Sequence, residues 1–143
     1  MQKCSQRLSS VVKIGRIREM KTYYENALEY EGTPYLSGGM SKSGIDCSGL
    51  VNLATEQISR VWHTGLNTPP PGRWILIETN KDNFMKQVKL GDLFVWKGHA
   101  AFYAGAERLF HARKPGTLVG FTNDLKIYWL KEKCIPKVWR QII

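Results

Sequence analysis

Apolar positions in the first half of the chain recur at the spacing of α-helices. Within residues 20–31 they fall at i, i+3, i+4, i+7 and i+8, and they are Met20, Tyr23, Tyr24, Ala27 and Leu28. This spacing predicts one face of a helix. Gly32 and Pro34 follow directly, and we expect the helix to stop there.

A second helix is predicted to begin at Cys47. Its apolar stripe consists of Cys47, Leu50, Val51, Ala54 and Ile58. Asp46, just before it, is a suitable N-terminal cap. Residues 36–44 have the composition of a loop. Residues 63–73 include consecutive prolines, which fit neither a helix nor a central strand, so a loop is predicted there too.

The second half of the chain carries short β-type runs. "WILIE" is a candidate strand, and residues 79–89 fit no clear pattern. From Leu90 onward the candidate strands are "GDLFVW", "HAAFYAG", "RLFHAR", "TLVGFT" and "KVWRQII". Because the helices come first and the strands follow, the fold class predicted is α+β.

Two histidines lie on consecutive predicted strands. A hairpin with a three-residue loop centred on Gly105 would make His99 and His111 direct cross-strand neighbours, with Cβ atoms about 5 Å apart. A two-residue loop would instead turn His111 to the other face of the sheet. The third histidine, His63, lies in a turn-like stretch, and we expect it to lie outside any site.

Composition is that of an ordinary globular chain, and its positive charge either serves solubility or indicates an anionic partner. The 143 residues suit one domain, with a basic segment over about residues 1–19 and a core over about residues 20–143. No apolar run reaches the roughly 18 residues of a membrane helix, and no signal peptide is visible. The net charge of +9 favours an anionic partner. Nucleic acid is not expected, because no zinc-finger or RNA-binding motif is present.

The three cysteines raise the question of what Cys47 does. An odd number excludes a fully paired set of intramolecular disulfides, although Cys4 and Cys134 would be able to pair in an oxidising compartment. Cys47, in "GIDCSGLV", is open to four interpretations: a buried inert thiol, a disulfide half, a zinc ligand together with the histidines, or a nucleophile.

The nucleophile interpretation of Cys47 has a physical basis. The positive end of a helix and a nearby imidazolium both lower the pKa of a thiol. His99 would supply the imidazole, and His111 would orient it, as in acyl-transfer enzymes. The backbone N–H groups of Cys47 and Ser48 would then point toward the developing oxyanion.

Several sequence blocks, in order, resemble the signature blocks of the NlpC family of papain-like cell-wall cysteine peptidases. They are "GTPYLSGG", "GIDCSGLV", "LGDLFVW", "HAAFYAG" and "LFHA". The resemblance runs from about Tyr24 to His111 and is weaker in "KVWRQII". It implies a single papain-like α+β domain over residues 1–143, with N-terminal helices and a nucleophile helix packed on a C-terminal antiparallel sheet.

The resemblance also implies catalytic roles for three residues. Cys47 would be the nucleophile, His99 the general base and acid, and His111 the third, orienting residue of a Cys-His-His triad. Such a triad works through a thioester and needs neither a metal nor an organic cofactor.

Substrate-binding or oxyanion roles follow for three further residues. Tyr35 would line the site near the oxyanion, Asp46 would help to bind the amine end of the substrate, and Ser48 would present its N–H and hydroxyl. Ser37 departs from the family pattern, which usually has tryptophan there. Residues 63–73 align with nothing in the family, and we expect them to shape specificity.

The substrate implied by the resemblance is the peptide stem of bacterial peptidoglycan, or a muropeptide, cleaved between the γ-carboxyl of D-glutamate and a diamino acid. The same triad would also serve an N-acetylmuramoyl-L-alanine amidase or an acyltransferase, and an idle triad would leave a binding module directed to the wall or to nucleic acid. A phage lysin, an effector delivered into rival bacteria or an envelope enzyme all fit. We therefore expect action in the cell envelope or after secretion, without insertion into a membrane.

Overall fold

The structure is a computed structural model, and it describes residues 21–143. Its first half contains helices and a small hairpin: α1 (Tyr23–Leu28), β1 (Met40–Ser41), β2 (Gly44–Ile45) and α2 (Cys47–Ala54). Its second half contains β3 (Trp74–Ile77), α3 (Phe84–Gln87), β4 (Leu93–Trp96), β5 (His99–Tyr103), β6 (Leu109–His111), β7 (Gly120–Thr122), a π-helical turn (Leu125–Trp129), α4 (Leu130–Glu132) and β8 (Lys137–Gln141). Within these residues, no helix has the length and apolar character needed to cross a membrane. The predicted basic segment and Cys4 lie outside the described range.

The first helix is shorter than the predicted span of residues 20–31. It begins after Thr22, whose hydroxyl accepts a hydrogen bond from the Glu25 N–H (3.0 Å) while the Glu25 carboxylate accepts one from the Thr22 N–H (2.8 Å). This reciprocal pair is a capping box and fixes the start of α1. Gly32, with a φ of +88°, lies in the turns that follow. Met20, predicted to be in this helix, lies outside the described residues.

The second helix begins where predicted but ends early. The carboxylate of Asp46 caps it by accepting a hydrogen bond from the Gly49 N–H (2.8 Å). The helix ends at Ala54, and Glu56 then adopts a left-handed conformation with a φ of +68°. Ile58, predicted to belong to the buried stripe, is 99% exposed. That prediction is wrong because the chain has left the helix before it reaches Ile58.

Residues 36–44, predicted to be a loop, contain most of a small hairpin. Strands β1 and β2 pair antiparallel directly before the cap of α2. Gly39 permits the close approach of the chain, since a Cβ atom there would lie 2.4 Å from the carbonyl oxygen of Gly44. The hairpin therefore helps to fix the point at which the second helix begins.

The strands from β3 onward form one antiparallel sheet in the order β3-β8-β4-β5-β6-β7. The last strand of the chain, β8, lies between β3 and β4 and pairs with both. Helix α2 contacts α1 and β5. The predicted α+β class, with helices first and an antiparallel sheet after them, is confirmed by this arrangement.

The predicted register of the histidine hairpin is wrong by two residues. Tyr103 pairs with Leu109, so the loop of residues 105–107 is centred one position later than expected. His99 and His111 are therefore diagonal neighbours across β5 and β6, and not a direct pair. A shift of two residues keeps a side chain on the same face of the sheet, so the histidines still meet.

The sheet buries side chains on both of its faces. The face toward α1 and α2 packs a cluster that includes Leu50, Val51, Ala100, Phe102 and Phe110. The opposite face packs a cluster that includes Phe84, Phe94, Ala101, Leu109 and Trp129. Because successive side chains along a strand alternate, His99 shares the second face with Ala101.

Candidate active site

The imidazole rings of His99 and His111 are hydrogen-bonded to each other. Nε2 of His99 lies 2.7 Å from Nδ1 of His111, and the ring centroids are 4.9 Å apart. Both side chains are buried, at 8% and 1% exposure. The structure thus brings together two of the three residues predicted to form the triad.

The hydrogen bonding continues beyond His111 into residues that the sequence analysis missed. Nε2 of His111 lies 2.9 Å from the Thr122 hydroxyl. That hydroxyl donates to the carboxylate of Asp124 (2.6 Å), which also accepts from Nε of Arg113 (2.7 Å). The "FTND" stretch that follows the predicted strand carries Thr122 and Asp124, and these polar residues at a strand end were the available signal.

Burial decides the charge of the two histidines. It lowers the pKa of His99 well below its usual value near 6.5, and the positive charges of His111 and Arg113 lower it further against the opposing effect of Asp124. Burial also lowers the pKa of His111 to about 4, with Asp124 opposing this shift and Arg113 adding to it. Both rings are therefore neutral at pH 7, and His99 is ready to accept a proton.

An indole ring covers His99. Trp129, at the end of the π-helical turn, stacks on the imidazole with ring centroids 4.4 Å apart and an angle of 12° between the planes. Trp96 lies farther away, with a centroid distance of 6.3 Å. The guanidinium of Arg113 lies 5.6 Å from the centroid of the Trp129 ring. This flat contact limits the rotation of the His99 ring.

Cys47 is the first residue of α2, and its thiol is largely buried. The thiol lies 3.4 Å from the hydroxyl of Thr64, its hydrogen-bond partner. Within residues 21–143, no hydrogen bond joins it to His99. The structure places Cys47 on a helix that contacts β5, while the side chain of His99 lies on the other face of that strand. Since His99 is the first residue of β5, the end of the strand is where these two side chains would meet.

The loop that carries Thr64 is anchored by a buried amide. Asn52 donates to the carbonyl oxygens of Ser48 (2.7 Å) and Trp62 (2.8 Å), and it accepts from the Trp62 N–H (3.2 Å). These bonds tie the chain after α2 back onto the helix, which holds Thr64 beside Cys47. The predicted loop over residues 63–73 indeed has no regular structure, and its start lies against the candidate nucleophile.

The guanidinium of Arg60 donates hydrogen bonds to the side chains of Asp46 and Ser48. Its Nη2 donates to Oδ1 of Asp46 (3.0 Å) and to the carbonyl oxygen of Gly39 (3.1 Å), and its Nη1 donates to the Ser48 hydroxyl. The other carboxylate oxygen of Asp46 accepts from the Gly38 N–H (2.8 Å). The carboxylate that was expected to bind a substrate amine is thus paired with a guanidinium that sequence reasoning missed.

Tyr35 lies within electrostatic range of the candidate nucleophile. Burial raises the pKa of its phenol, and the neighbouring Cys47 and Asp46 side chains act in the same direction. The phenol is therefore a neutral hydroxyl near Cys47. Its contribution to oxyanion binding stays a prediction. Ser37 is exposed on the loop that follows.

Among the described residues, the side chains of the remaining histidine and cysteine form no hydrogen bond to this cluster. His63 is exposed in the loop after Trp62. Cys134 is exposed, and its predicted pairing with Cys4 lies outside the described residues. In the part of the chain that the structure describes, no group of three or more His, Cys, Asp and Glu side chains is arranged to hold a metal ion.

A family comparison identifies the chain. The model of the NlpC/P60 family matches residues 32–138, which is more than half of the 143 residues. The chain belongs to the NlpC/P60 family. This confirms the resemblance seen in the sequence blocks around Cys47, His99 and His111.

Two proteins of known name are similar to this chain in sequence. The chain is 34% identical over 99 residues to dipeptidyl-peptidase 6 of Lysinibacillus sphaericus, covering 69% of this chain and 34% of the relative. It is 31% identical over 119 residues to the bifunctional muramidase/DL-endopeptidase CwlT of Bacillus subtilis (strain 168), covering 76% of this chain and 33% of the relative. The chain thus spans about a third of the length of each of these two relatives.

A solved NlpC/P60 domain has the same architecture. The NlpC/p60 domain of the peptidoglycan hydrolase SagA matches with a TM-score of 0.53 and 29% identity, covering 85% of this chain and 97% of that domain. The papain-like fold that was expected, with helices packed on an antiparallel sheet, is therefore confirmed.

Proposed function

We propose that this protein is a cysteine peptidase that hydrolyses the peptide stem of bacterial peptidoglycan. The observation that carries the proposal is the 2.7 Å hydrogen bond between the buried rings of His99 and His111, in an NlpC/P60 chain with Cys47 in the first turn of α2. Cys47 acts as the nucleophile, His99 as the base and then the acid, and His111 as the residue that orients His99.

The first half of the reaction forms a thioester. His99, neutral at pH 7, removes the proton of the Cys47 thiol, and the sulfur attacks the carbonyl carbon of the stem peptide. The resulting oxyanion is stabilised by backbone N–H groups at the start of α2 and by the Tyr35 hydroxyl. The oxyanion then collapses, the peptide C–N bond breaks, and the amine leaves with the proton that His99 had taken.

The second half of the reaction releases the product. A water molecule gives a proton to His99 while its oxygen attacks the thioester carbonyl, and the C–S bond breaks as the carboxylic acid forms. The proton on His99 returns to the Cys47 sulfur. For the first step, the thiol turns away from Thr64 and toward the end of β5, and such tightening of contacts on substrate binding is common among hydrolases.

The bond that we propose is the one between the γ-carboxyl of D-glutamate and the following L-configured diamino acid. The relative CwlT is named a DL-endopeptidase, and SagA is named a peptidoglycan hydrolase. A D-residue followed by an L-residue is the linkage that such a name describes. The net charge of +9 would draw the protein to the carboxylates of the wall, which supports action in the cell envelope or outside the cell.

Digestion of purified peptidoglycan tests the activity and the bond together. The wild type, Cys47→Ala and Cys134→Ala are incubated with the same material, and soluble products are read by mass spectrometry. Cys134 is the matched control because it is an exposed cysteine whose thiol forms no hydrogen bond within the described residues. We expect stem fragments cut after D-glutamate from the wild type and Cys134→Ala, and none from Cys47→Ala.

Other products would indicate a different reaction. Release of intact stems from the lactyl group of the sugar would identify an amidase, and transfer of an acyl group to an added amine would identify an acyltransferase. Equal digestion by Cys47→Ala would remove Cys47 from the mechanism altogether.

A further inference from the structure

The hydrogen-bonded pair of His99 and His111 is the near end of a longer chain of contacts. Thr122 links His111 to Asp124, and Asp124 is held by Arg113, with successive distances of 2.9, 2.6 and 2.7 Å. The side chains of Arg113 and Asp124 are 23% and 16% exposed, so this ion pair is mostly shielded from water.

The carboxylate at the end of this chain is ionised. Burial by itself would raise the pKa of Asp124, but hydrogen bonds from Thr122 and Arg113, together with the charge of Arg113, lower the pKa below its usual value. An ionised carboxylate only accepts hydrogen bonds. The hydroxyl of Thr122 must therefore donate its proton to Asp124, which leaves its oxygen as the acceptor for His111.

The direction of every other bond follows from this one. Since the Thr122 oxygen accepts, Nε2 of His111 carries a proton and Nδ1 of His111 does not. That bare Nδ1 accepts from Nε2–H of His99. A neutral imidazole has one ring proton, so Nδ1 of His99 is left with a free lone pair. It is the nitrogen available to take the proton of the Cys47 thiol.

We propose that Thr122 and Asp124 are positioning residues that set the tautomer of both histidines, with Arg113 holding Asp124 in place. This inference rests on the proposed function of Cys47, His99 and His111. Reversal of the chain would put the proton of His99 on Nδ1, where it would meet the thiol, and His99 would then be unable to act as a base.

The guanidinium of Arg113 lies over two aromatic rings as well as beside Asp124. Its guanidinium lies 5.3 Å from the centroid of the Tyr128 ring and 5.6 Å from that of Trp129. Trp129 in turn stacks on His99. The cation that fixes Asp124 and the indole that covers His99 are thus in contact. The other charged group that acts on His99 is Lys133, which lowers its pKa after the larger effects of burial, His111, Arg113 and Asp124.

Nitrogen NMR of the substrate-free wild type tests the tautomers directly. Long-range proton–nitrogen spectra of histidine-labelled protein separate protonated from unprotonated ring nitrogens, and His63→Asn identifies the signal of the exposed histidine. We expect His99 and His111 to carry their protons on Nε2 at pH 7.5. A proton on Nδ1 of either ring would overturn the proposal.

Substitutions separate positioning from packing. In Asp124→Asn the new amide is able to donate to Thr122, which lets the hydroxyl donate to His111 and reverses the chain. Thr122→Val removes the hydroxyl at nearly constant volume, and Thr122→Ser keeps it as the matched control. For Asp124→Asn and Thr122→Val we expect kcat to fall by about 10²-fold with little change in KM, while Thr122→Ser stays within a few-fold of the wild type.

The outcomes distinguish this proposal from the function on which it rests. Wild-type kcat in both Asp124→Asn and Thr122→Val would contradict the positioning role. If no peptidoglycan is cleaved but both histidines carry Nε2 protons, and Asp124→Asn moves them to Nδ1, the positioning chain stands and the proposed substrate fails. Thermal unfolding of each variant shows whether lost activity reflects lost structure.

Discussion

In His99, burial outweighs every nearby charge and holds the ring neutral. The sequence suggested an imidazolium that would stabilise a thiolate at Cys47. The structure instead shows a neutral imidazole whose Nε2 is hydrogen-bonded to His111. In the proposed mechanism the thiol therefore loses its proton during the reaction and not before it, and His99 would have to be unprotonated for activity.

This neutral base predicts an unusual acid limit for catalysis. Because the pKa of His99 lies well below its ordinary value of 6.5, the acid limb of the kcat/KM profile should lie below pH 6.5. Initial rates on a soluble stem peptide between pH 4 and pH 8 measure it. An acid limb at or above pH 6.5 would contradict this prediction, because it would mean that the pKa of His99 in the free protein is not lowered.

Arg60 defines the charge of the region where a substrate amine was expected to bind. It pairs with the Asp46 carboxylate and also donates to the Ser48 hydroxyl. In Arg60→Ala the carboxylate loses its cation and becomes available to an ammonium group. We expect the ratio of kcat/KM for a free-amine stem peptide over its N-acetylated form to rise by about 5-fold, equivalent to about 1 kcal/mol.

The matched control for this substitution keeps the positive charge. Arg60→Lys retains an ammonium near Asp46, so the preference between the two peptides should stay close to that of the wild type. An unchanged ratio in Arg60→Ala would mean that Asp46 never contacts the amine end of the substrate.

The π-helical turn Leu125–Trp129 contacts His99 through the side chain of Trp129. Trp129 lies flat on His99, and among the described residues its indole N–H has no hydrogen-bond partner. The indole therefore acts as a flat apolar surface. Trp129→Phe preserves such a surface, whereas Trp129→Leu fills the space without it.

These two substitutions should differ in activity more than in stability. We expect Trp129→Phe to keep kcat within a few-fold and Trp129→Leu to lose about 10-fold, because the His99 ring gains freedom to rotate. Both should lower the free energy of unfolding by about 1–3 kcal/mol through imperfect packing. Equal kcat values in the two variants would show that the stacked ring does not help to orient His99.

Local sequence patterns predicted the helices and strands better than the turns that end or connect them. The start of α2 was predictable because Asp46 is a strong cap ahead of a helical stripe. Its end was not, since Glu56 takes a left-handed conformation that no local rule assigns to glutamate. The predicted centre of the hairpin loop was wrong for the same reason, because Ala106 and Glu107 adopt positive φ beside Gly105.

Contacts between distant segments were beyond local prediction. Arg60 reaches Asp46 only because the chain turns after Ala54, and Trp129 reaches His99 only through the fold of the sheet. The placement of both histidines on one face of the sheet was predictable from the alternation of side chains along the strands, which survives a shift of two residues. The extension through Thr122 and Asp124 depends on side-chain geometry that periodicity does not encode.

The buried, neutral histidines lower the stability of the folded protein when the pH falls. The pKa of His111 is about 4 in the folded protein and near 6.5 in the unfolded chain, so the unfolded state binds more protons between these values. Stability is therefore full above pH 6.5 and falls as the pH drops toward 4. For His111 alone the loss amounts to about 3 kcal/mol.

Urea unfolding measured from pH 7.5 down to pH 4 tests this dependence. The wild type should lose stability steadily below pH 6.5, and His111→Asn should show a shallower loss because one buried imidazole is gone. Parallel curves for the two proteins would mean that His111 does not titrate differently in the folded and unfolded states.

The central claim is that Cys47 attacks the stem peptide and carries its acyl group. Mass spectrometry of the protein, quenched in acid during turnover of a soluble stem peptide, tests it most directly. We expect an adduct with the mass of the acyl fragment on the peptide that contains Cys47, present in Cys134→Ala and absent in Cys47→Ala. Turnover without any adduct on Cys47, or cleavage by Cys47→Ala, would contradict it.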